Sequence, residues 1–227
     1  MKIKWLGHSA FLITSDAGVR AITDPYEPGA FRGGLSYGPI TEKADIYTVS
    51  HLHADHYDPG IVASGAVVLK NPGKQVVRGI EIEGVLTCHD DTGGRQRGLN
   101  TVFCITMDGL RICHLGDLGH LLSDKELKAL GRVDVLMIPV GGHFTIDAAQ
   151  ATEIAEALKP KLILPMHYKP QAPSPKPQAN GASFPITGVD EFLKGKKNVR
   201  RLDQSEVEIS RNALPRETEV WVMKHAN

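Results

Sequence analysis

The sequence predicts an α/β fold with layers packed on both sides of sheet. Three observations predict it. Short strand-like runs recur along the whole chain, bounded by glycine, proline and Asp-Gly turn signals. Helical periodicity is confined to the second half of the chain. Histidines and aspartates follow directly where several strand runs stop, and strand-end loops are where α/β proteins carry their chemistry.

Residues 2–6, 10–14 and 19–23 read as strands, with turns at Gly7 and at Asp16-Ala17-Gly18. Residues 26–41 are rich in glycine and proline and read as a loop. Residues 45–50 form a buried strand that ends at a histidine cluster. Strands follow at 66–69, 75–78, 81–88, 101–107 and 110–114, with Asp108-Gly109 as a two-residue hairpin turn between the last two. Residues 123–130 read as a helix and 133–139 as an apolar strand. The spacing predicts a second helix over 147–158. Asp147 caps it with Gln150 in the capping-box position, and Ala151, Ile154, Ala155 and Leu158 make one apolar face. Residues 161–165 form a strand leading to Met166-His167-Tyr168. The stretch 169–187 carries five prolines and an Asn-Gly, so it is a surface loop, or a lid if it closes over the site beside His167. Strands near 199–202, 206–209 and 220–223 close the chain.

Composition narrows the function classes. A 227-residue chain with 41% hydrophobic content can bury a substantial core. Formal net charge is zero, which argues against a broad basic surface for nucleic acid, so no nucleic-acid partner is expected. There is no apolar run long enough for a membrane span, and the polar start does not read as a signal peptide; a cytoplasmic enzyme with a small-molecule substrate is expected. Assembly into a homo-oligomer is compatible with all of this. Cys88, Cys104 and Cys113 lie in apolar runs without a Cys-x-x-Cys pattern and read as buried reduced thiols.

The chemistry is concentrated in His51-Leu52-His53-Ala54-Asp55-His56. Neutral imidazole and carboxylate are ligands of divalent transition metals, and four such groups this close can serve one ion or two neighbouring ions. Four other strand runs end on a potential ligand: 85–88 at His89, 110–115 at Asp117, 162–165 at His167, and 20–23 at Asp24.

These residues resemble those of the metallo-β-lactamase superfamily of binuclear metallohydrolases. The carrying motifs are His51-x-His53-x-Asp55-His56, His89, Asp117 in His114-Leu115-Gly116-Asp117, and His167 in Pro165-Met166-His167-Tyr168. Trp5-Leu6-Gly7-His8-Ser9 and Thr23-Asp24-Pro25 also fit. Within the superfamily the chain is similar to the small single-domain branch that includes L-ascorbate-6-phosphate lactonase. The resemblance implies a four-layer αββα sandwich and one hydrolase domain over residues 1–227. It implies His51, His53 and His89 at a first metal, Asp55, His56 and His167 at a second, and Asp117 bridging both. Asp55, Asp117 and Asp24 are the candidate catalytic carboxylates, Asp24 by orienting a ligand or the turn. Two divalent ions are implied, zinc first, with manganese or iron as alternatives. A hydroxide held between them would form near neutral pH and attack a phosphodiester, a lactone or a related ester. A metal-binding sensor with vestigial catalysis is the alternative.

Substrate contacts are expected from loops beside these ligands. Arg95 and Arg97, after His89, suit a phosphate or carboxylate through forked hydrogen bonds. Tyr168 and Lys169 follow His167. His143 lies in a glycine-flanked turn, and His8 is a candidate wall of the site. His114 reads as a core or supporting residue, and His225 as part of a tail.

Overall fold

The computed structural model describes residues 1–169 and 185–227. Two mixed sheets share one core. The first has the order β13 (Glu206–Glu208), β1 (Lys2–Gly7), β2 (Ala10–Thr14), β3 (Arg20–Thr23), β4 (Ile46–Thr48) and β5 (Val67–Leu69). It is antiparallel from β13 to β3 and parallel from β3 to β5. The second has the order β12 (Val199–Arg201), β14 (Glu219–Val222), β11 (Leu162–Met166), β10 (Val135–Pro139), β9 (Leu110–His114), β8 (Leu99–Met107), β7 (Ile80–Cys88) and β6 (Gly73–Val77). It is parallel from β12 to β9 and antiparallel from β9 to β6.

Strand periodicity explains the layering. In the first sheet Ile3, Trp5, Phe11, Ile13, Ala21 and Ile46 face the core shared with the second sheet. The alternate residues Leu12, Ile22 and Tyr47 face a separate apolar cluster on the other side. A sheet buried on both faces needs apolar residues on both faces of its strands. The shared core continues through Ile82, Phe103, Ile105, Met137 and Leu164 of the second sheet.

The outer layer on the second sheet is helical. The helix α2 (Asp124–Leu130) lies against β7, and α3 (Ala148–Leu158) packs on β10 and on the one-turn α4 (Asp190–Leu193). Both α2 and α3 start in full capping boxes, Ser123 with Glu126 and Asp147 with Gln150. The layer on the first sheet is different. It is largely the stretch predicted as a loop, with a four-residue turn α1 (Ala30–Gly33) and a 3-10 turn at Pro59–Ile61. Tyr26, Leu35, Tyr37 and Ile40 of that stretch are buried, so this irregular segment serves as the fourth layer of the sandwich.

Two hairpins show how local chemistry sets register. Asp108 and Gly109 both have positive φ, +50° and +75°, the two-residue turn that matches strand twist. Arg78 and Gly79 repeat it between β6 and β7, at +51° and +80°, a turn that the sequence signal for hairpins does not single out. Cys104 and Cys113 are buried and directly opposed on β8 and β9, while Cys88 is only half-buried, unlike the expectation for all three thiols. The predicted surface loop or lid at 169–187 falls mostly outside the described residues. No helix of the described residues is long and apolar enough to cross a membrane.

Phe103 is 1% exposed and stands opposite His114, so the two side chains share the face that looks toward the first sheet. Replacing it with alanine opens a cavity under the site. Phe103→Ala is expected to lower stability by about 3–5 kcal/mol, read as a shifted denaturant midpoint at unchanged slope.

Candidate metal centre

The predicted ligands come together at one end of the sandwich. Asp24 follows β3, His51 to His56 follow β4, His89 follows β7, Asp117 lies just beyond β9, and His167 follows β11. These strands come from both sheets, so the site sits on the seam between them. A backbone bond from Thr101 N to Ser50 O (2.9 Å) ties the start of β8 to the histidine loop.

Asp24 organises the first layer of side chains. It is fully buried and accepts from Ser50 N (2.7 Å) and Ser50 Oγ (2.6 Å), and its Oδ2 lies 2.7 Å from His56 Nδ1. The Ser50 hydroxyl has one proton, and it goes to Asp24. Its contact with His51 Nδ1 at 3.0 Å therefore has the imidazole donating. Both rings are thus held with Nδ1 protonated and Nε2 turned inward. Both Asp24 oxygens are committed to these contacts, in keeping with a role in orienting the histidines.

The inward nitrogens converge on Asp117. Its Oδ1 is 3.0 Å from His56 Nε2, and its Oδ2 is 3.3 Å from both His89 Nε2 and His167 Nε2. His51 Nε2 lies 3.9 Å from Oδ2 and 3.0 Å from His53 Nδ1. One oxygen of Asp117 thus faces histidines of both expected metal groups. The Asp117 backbone is fixed by Asn100, whose side-chain oxygen accepts from Asp117 N at 3.0 Å and whose amide donates to Leu115 O and Thr87 Oγ1.

This donor set fits cations. Asp55 Oδ1, Asp117 Oδ1, His56 Nε2 and His167 Nε2 are buried without a hydrogen-bond partner, which is costly unless something else satisfies them. Ligand atoms of His51, His53 and His89 lie within 4.8 Å of one another, as do those of His51, His56 and Asp117. A third such group is His8, Asp55, His56 and His167. Metal–nitrogen bonds of about 2.0–2.1 Å place tetrahedral ligands about 3.3 Å apart, close to the separations around Asp117.

The electrostatics follow from burial. Desolvation would raise the Asp117 carboxyl, but His167 and His56 hold it well below the usual carboxylate range. Burial would likewise raise Asp55 and Asp24. His56 and His8 overcome it for Asp55, and His114, His56 and Ser50 for Asp24, so both stay ionised. Burial, with repulsion from His167, pushes His8 down to about 4; burial and His56 push His51 down to about 3. His89 and His114 are lowered chiefly by burial. His56 goes the other way: Asp117 and Asp55 outweigh its burial and raise it.

The expected substrate residues divide. His8 is 1% exposed and stands inside the ligand cluster, 3.2 Å from Asp55. Arg97 lies over the Phe144 ring at 5.7 Å, beside exposed His143, while Arg95 is exposed. Tyr168 is buried against Trp5, with ring centroids 5.4 Å apart. It lines a cavity of about 260 Å³ with Val189, Arg201 and Met223. It belongs to the apolar core shared by the two sheets. Lys169 is exposed, and its backbone pairs with Thr187. His114 is buried, with its Nε2 2.8 Å from Ser9 O and its Nδ1 accepting from Gly116 N. His225 is packed edge-on against Trp5 and Tyr37. Sequence reasoning missed Ser50 and Asn100, whose only signals are a hydroxyl beside the cluster and an amide at the start of a strand.

Two expectations follow. Asp24→Ala frees His56 and His51 to rotate, so metal affinity measured by chelator competition is expected to fall about 10–100-fold. In metal-free protein His8, His51, His89 and His114 refuse protons that the unfolded chain takes up as pH falls below about 6.5. Their contribution is present above that value and lost toward about 4 for His8 and about 3 for His51, with His56 opposing. Chelator-treated protein is therefore expected to be less stable near pH 5 than near pH 7, by at least about 1 kcal/mol in urea titrations.

Known proteins place this architecture. Residues 2–167 match the Beta-lactamase superfamily domain. A UPF0173 metal-dependent hydrolase of Thermococcus onnurineus is 30% identical over 203 residues, covering 76% of this chain and 87% of the relative. One from Pyrococcus abyssi is 31% identical over 199 residues with the same coverage. The crystal structure of a candidate Zn-dependent hydrolase of the metallo-β-lactamase superfamily from Thermotoga maritima is 34% identical. It superposes with a TM-score of 0.77 over 98% of this chain and 97% of that one. The chain belongs to the β-lactamase superfamily and, within it, to the UPF0173 metal-dependent hydrolases.

Proposed function

We propose that this metal-dependent hydrolase works with two divalent ions and cleaves a phosphodiester, a lactone or a related ester in a small molecule. The observation that carries the reading is the place of Asp117. Its carboxylate lies within 3.3 Å of histidines from two separate donor groups. His51, His53 and His89 would hold one ion, Asp55, His56 and His167 the other, and Asp117 would touch both. A pair of bound divalent ions would supply a water of lowered pKa and a Lewis acid for the scissile group.

The chain's own residues prepare for that chemistry. Asp24 and Ser50 fix the tautomers of His56 and His51, so each presents a lone pair inward. Asn100 holds the Asp117 turn against rotation. His53 is exposed, so the first group is open to solvent on that side. Arg97, Phe144 and His143 line up along the loops that follow His89 and β10, where an anionic or polar substrate group can be held. The donor set of imidazoles and carboxylates suits zinc best and accommodates manganese or iron.

Hydrolysis of bis(p-nitrophenyl) phosphate, a lactone and a thioester by protein loaded separately with zinc and with manganese tests the reading. Turnover of one class well above the others assigns the reaction; two bound metals with no turnover in any arm would instead favour a metal-binding sensor. Asp117→Ala is expected to lose at least one equivalent of metal by elemental analysis, and at least about 100-fold in turnover, more than loss of a supporting residue costs. Unchanged metal content and rate in that variant would sink the two-ion assignment.

A further inference from the structure

Resting on the two-ion reading, we propose that His8 is a further side-chain ligand of the second ion rather than a substrate-contacting wall. The second position would then be His8, Asp55, His56 and His167, with Asp117 shared.

The geometry treats His8 like the other ligands. Its donor atom and those of Asp55, His56 and His167 all lie within 4.8 Å of one another, and all four residues are buried. Its ring centroid is 4.2 Å from that of His167 and 5.3 Å from that of His56. The first group shows the same spacing: 4.5 Å for His51–His53, 4.7 Å for His51–His89 and 5.3 Å for His53–His89. The His8 nitrogen nearest Asp55 is Nε2, at 3.2 Å from Oδ2. That is the separation of two ligands on one ion as well as a hydrogen-bond distance. Its neighbours in the group include buried atoms with no hydrogen-bond partner, His167 Nε2 and Asp55 Oδ1.

The backbone aims the ring. His8 has φ +49° and His167 has φ +50°, and His167 N donates to His8 O at 3.3 Å. Trp5 Nε1 donates to the same carbonyl at 3.0 Å. Two left-handed residues joined back to back point their imidazoles into one space, and such conformations persist only where the surroundings enforce them.

A consequence is asymmetry between the ions. The first position would have three imidazoles, with Asp117 Oδ2 3.3 Å from His89 Nε2, a donor set that would suit zinc. The second would have three imidazoles and Asp55, with Asp117 3.0 Å from His56 and 3.3 Å from His167, a larger donor set that would suit manganese or iron.

The test uses the full chain loaded with cobalt(II) and counts the paramagnetically shifted, exchangeable imidazole N–H signals. The N–H of exposed His53 exchanges with water, so the count is read as a difference: one signal fewer is expected in His8→Gln than in the parent chain. Two bound cobalt ions with the same count in both would overturn the assignment of His8 and leave the two-ion reading standing. Fewer than two bound ions would overturn both. In parallel, His8→Ala and His8→Gln are each expected to bind the second ion at least about tenfold more weakly while keeping the first, as read by chelator competition. Glutamine can still donate to Asp55 but brings no imidazole. Wild-type affinity in His8→Gln would make His8 a positioning partner of Asp55 and remove it from the ligand set.

Discussion

Three carboxylates without a permanent cation are the constraint on which the site depends. Asp24, Asp55 and Asp117 are each at most 6% exposed. Among the described residues, every ion pair they make is with a histidine, never with lysine or arginine. Burying an ionised group costs several kcal/mol unless opposite charge and hydrogen bonds compensate. Histidine is a conditional partner, since it compensates only when protonated. The acids here stay ionised while most surrounding imidazoles are driven neutral, and His56 alone of the shifted set is raised. Such a mixture of anions and neutral lone pairs is poorly balanced alone and well balanced around divalent cations.

Holding that arrangement requires close approach of turns from both sheets. Gly116 has φ +56°, and a Cβ there would sit 2.5 Å from Ser50 Cβ and 2.4 Å from Asn100 Oδ1. The turn carrying Asp117 can press onto the end of β4 only because this residue has no side chain. Gly119 does the same against the backbone of His89 and Asp90, where an added Cβ would fall 2.3 Å away. Asp24 at φ +38° joins His8 and His167 in the left-handed region, each a conformation costing of order 1–3 kcal/mol. The shared apolar core beneath supplies the rigidity that keeps these turns from relaxing.

The candidate ligands were legible in the sequence as a group that the fold brings together, because ligand chemistry is carried by residue type and His51 to His56 are contiguous. The strands were legible because both faces of the first sheet are apolar and its turns are marked. What could not be read is which nitrogen of each ring is held and by what. Ser50 and Asn100 are ordinary residues whose work depends on partners 26 and 17 residues distant. The stretch after β3 was correctly irregular, yet its burial arises from Tyr26 and Tyr37 packing onto a sheet face that no local pattern reveals. Tyr168 follows His167 by one position and packs away from it, against Trp5, because neighbouring residues at a strand end point in opposite directions.

The loop after His89, beside the cluster, is tied together by a single carboxylate. Asp90 accepts from Thr92 Oγ1 and from the backbone N–H groups of Thr92, Gly94, Gln96 and Arg97. With the Thr92 hydroxyl foremost, these donors keep its carboxyl ionised far below the usual range. A loop wound around one carboxylate has met its ordering cost at folding, so it need not be ordered again on binding. It presents Arg97 over Phe144 on one side, while Leu52 and Leu99 stay 67% and 55% exposed. The loop, which starts at His89 of the histidine cluster, thus places a cation on an aromatic ring. The same economy governs the imidazoles: Asp24 and Ser50 fix His56 and His51 at folding, so the arrangement of nitrogens around Asp117 is in place before anything is bound.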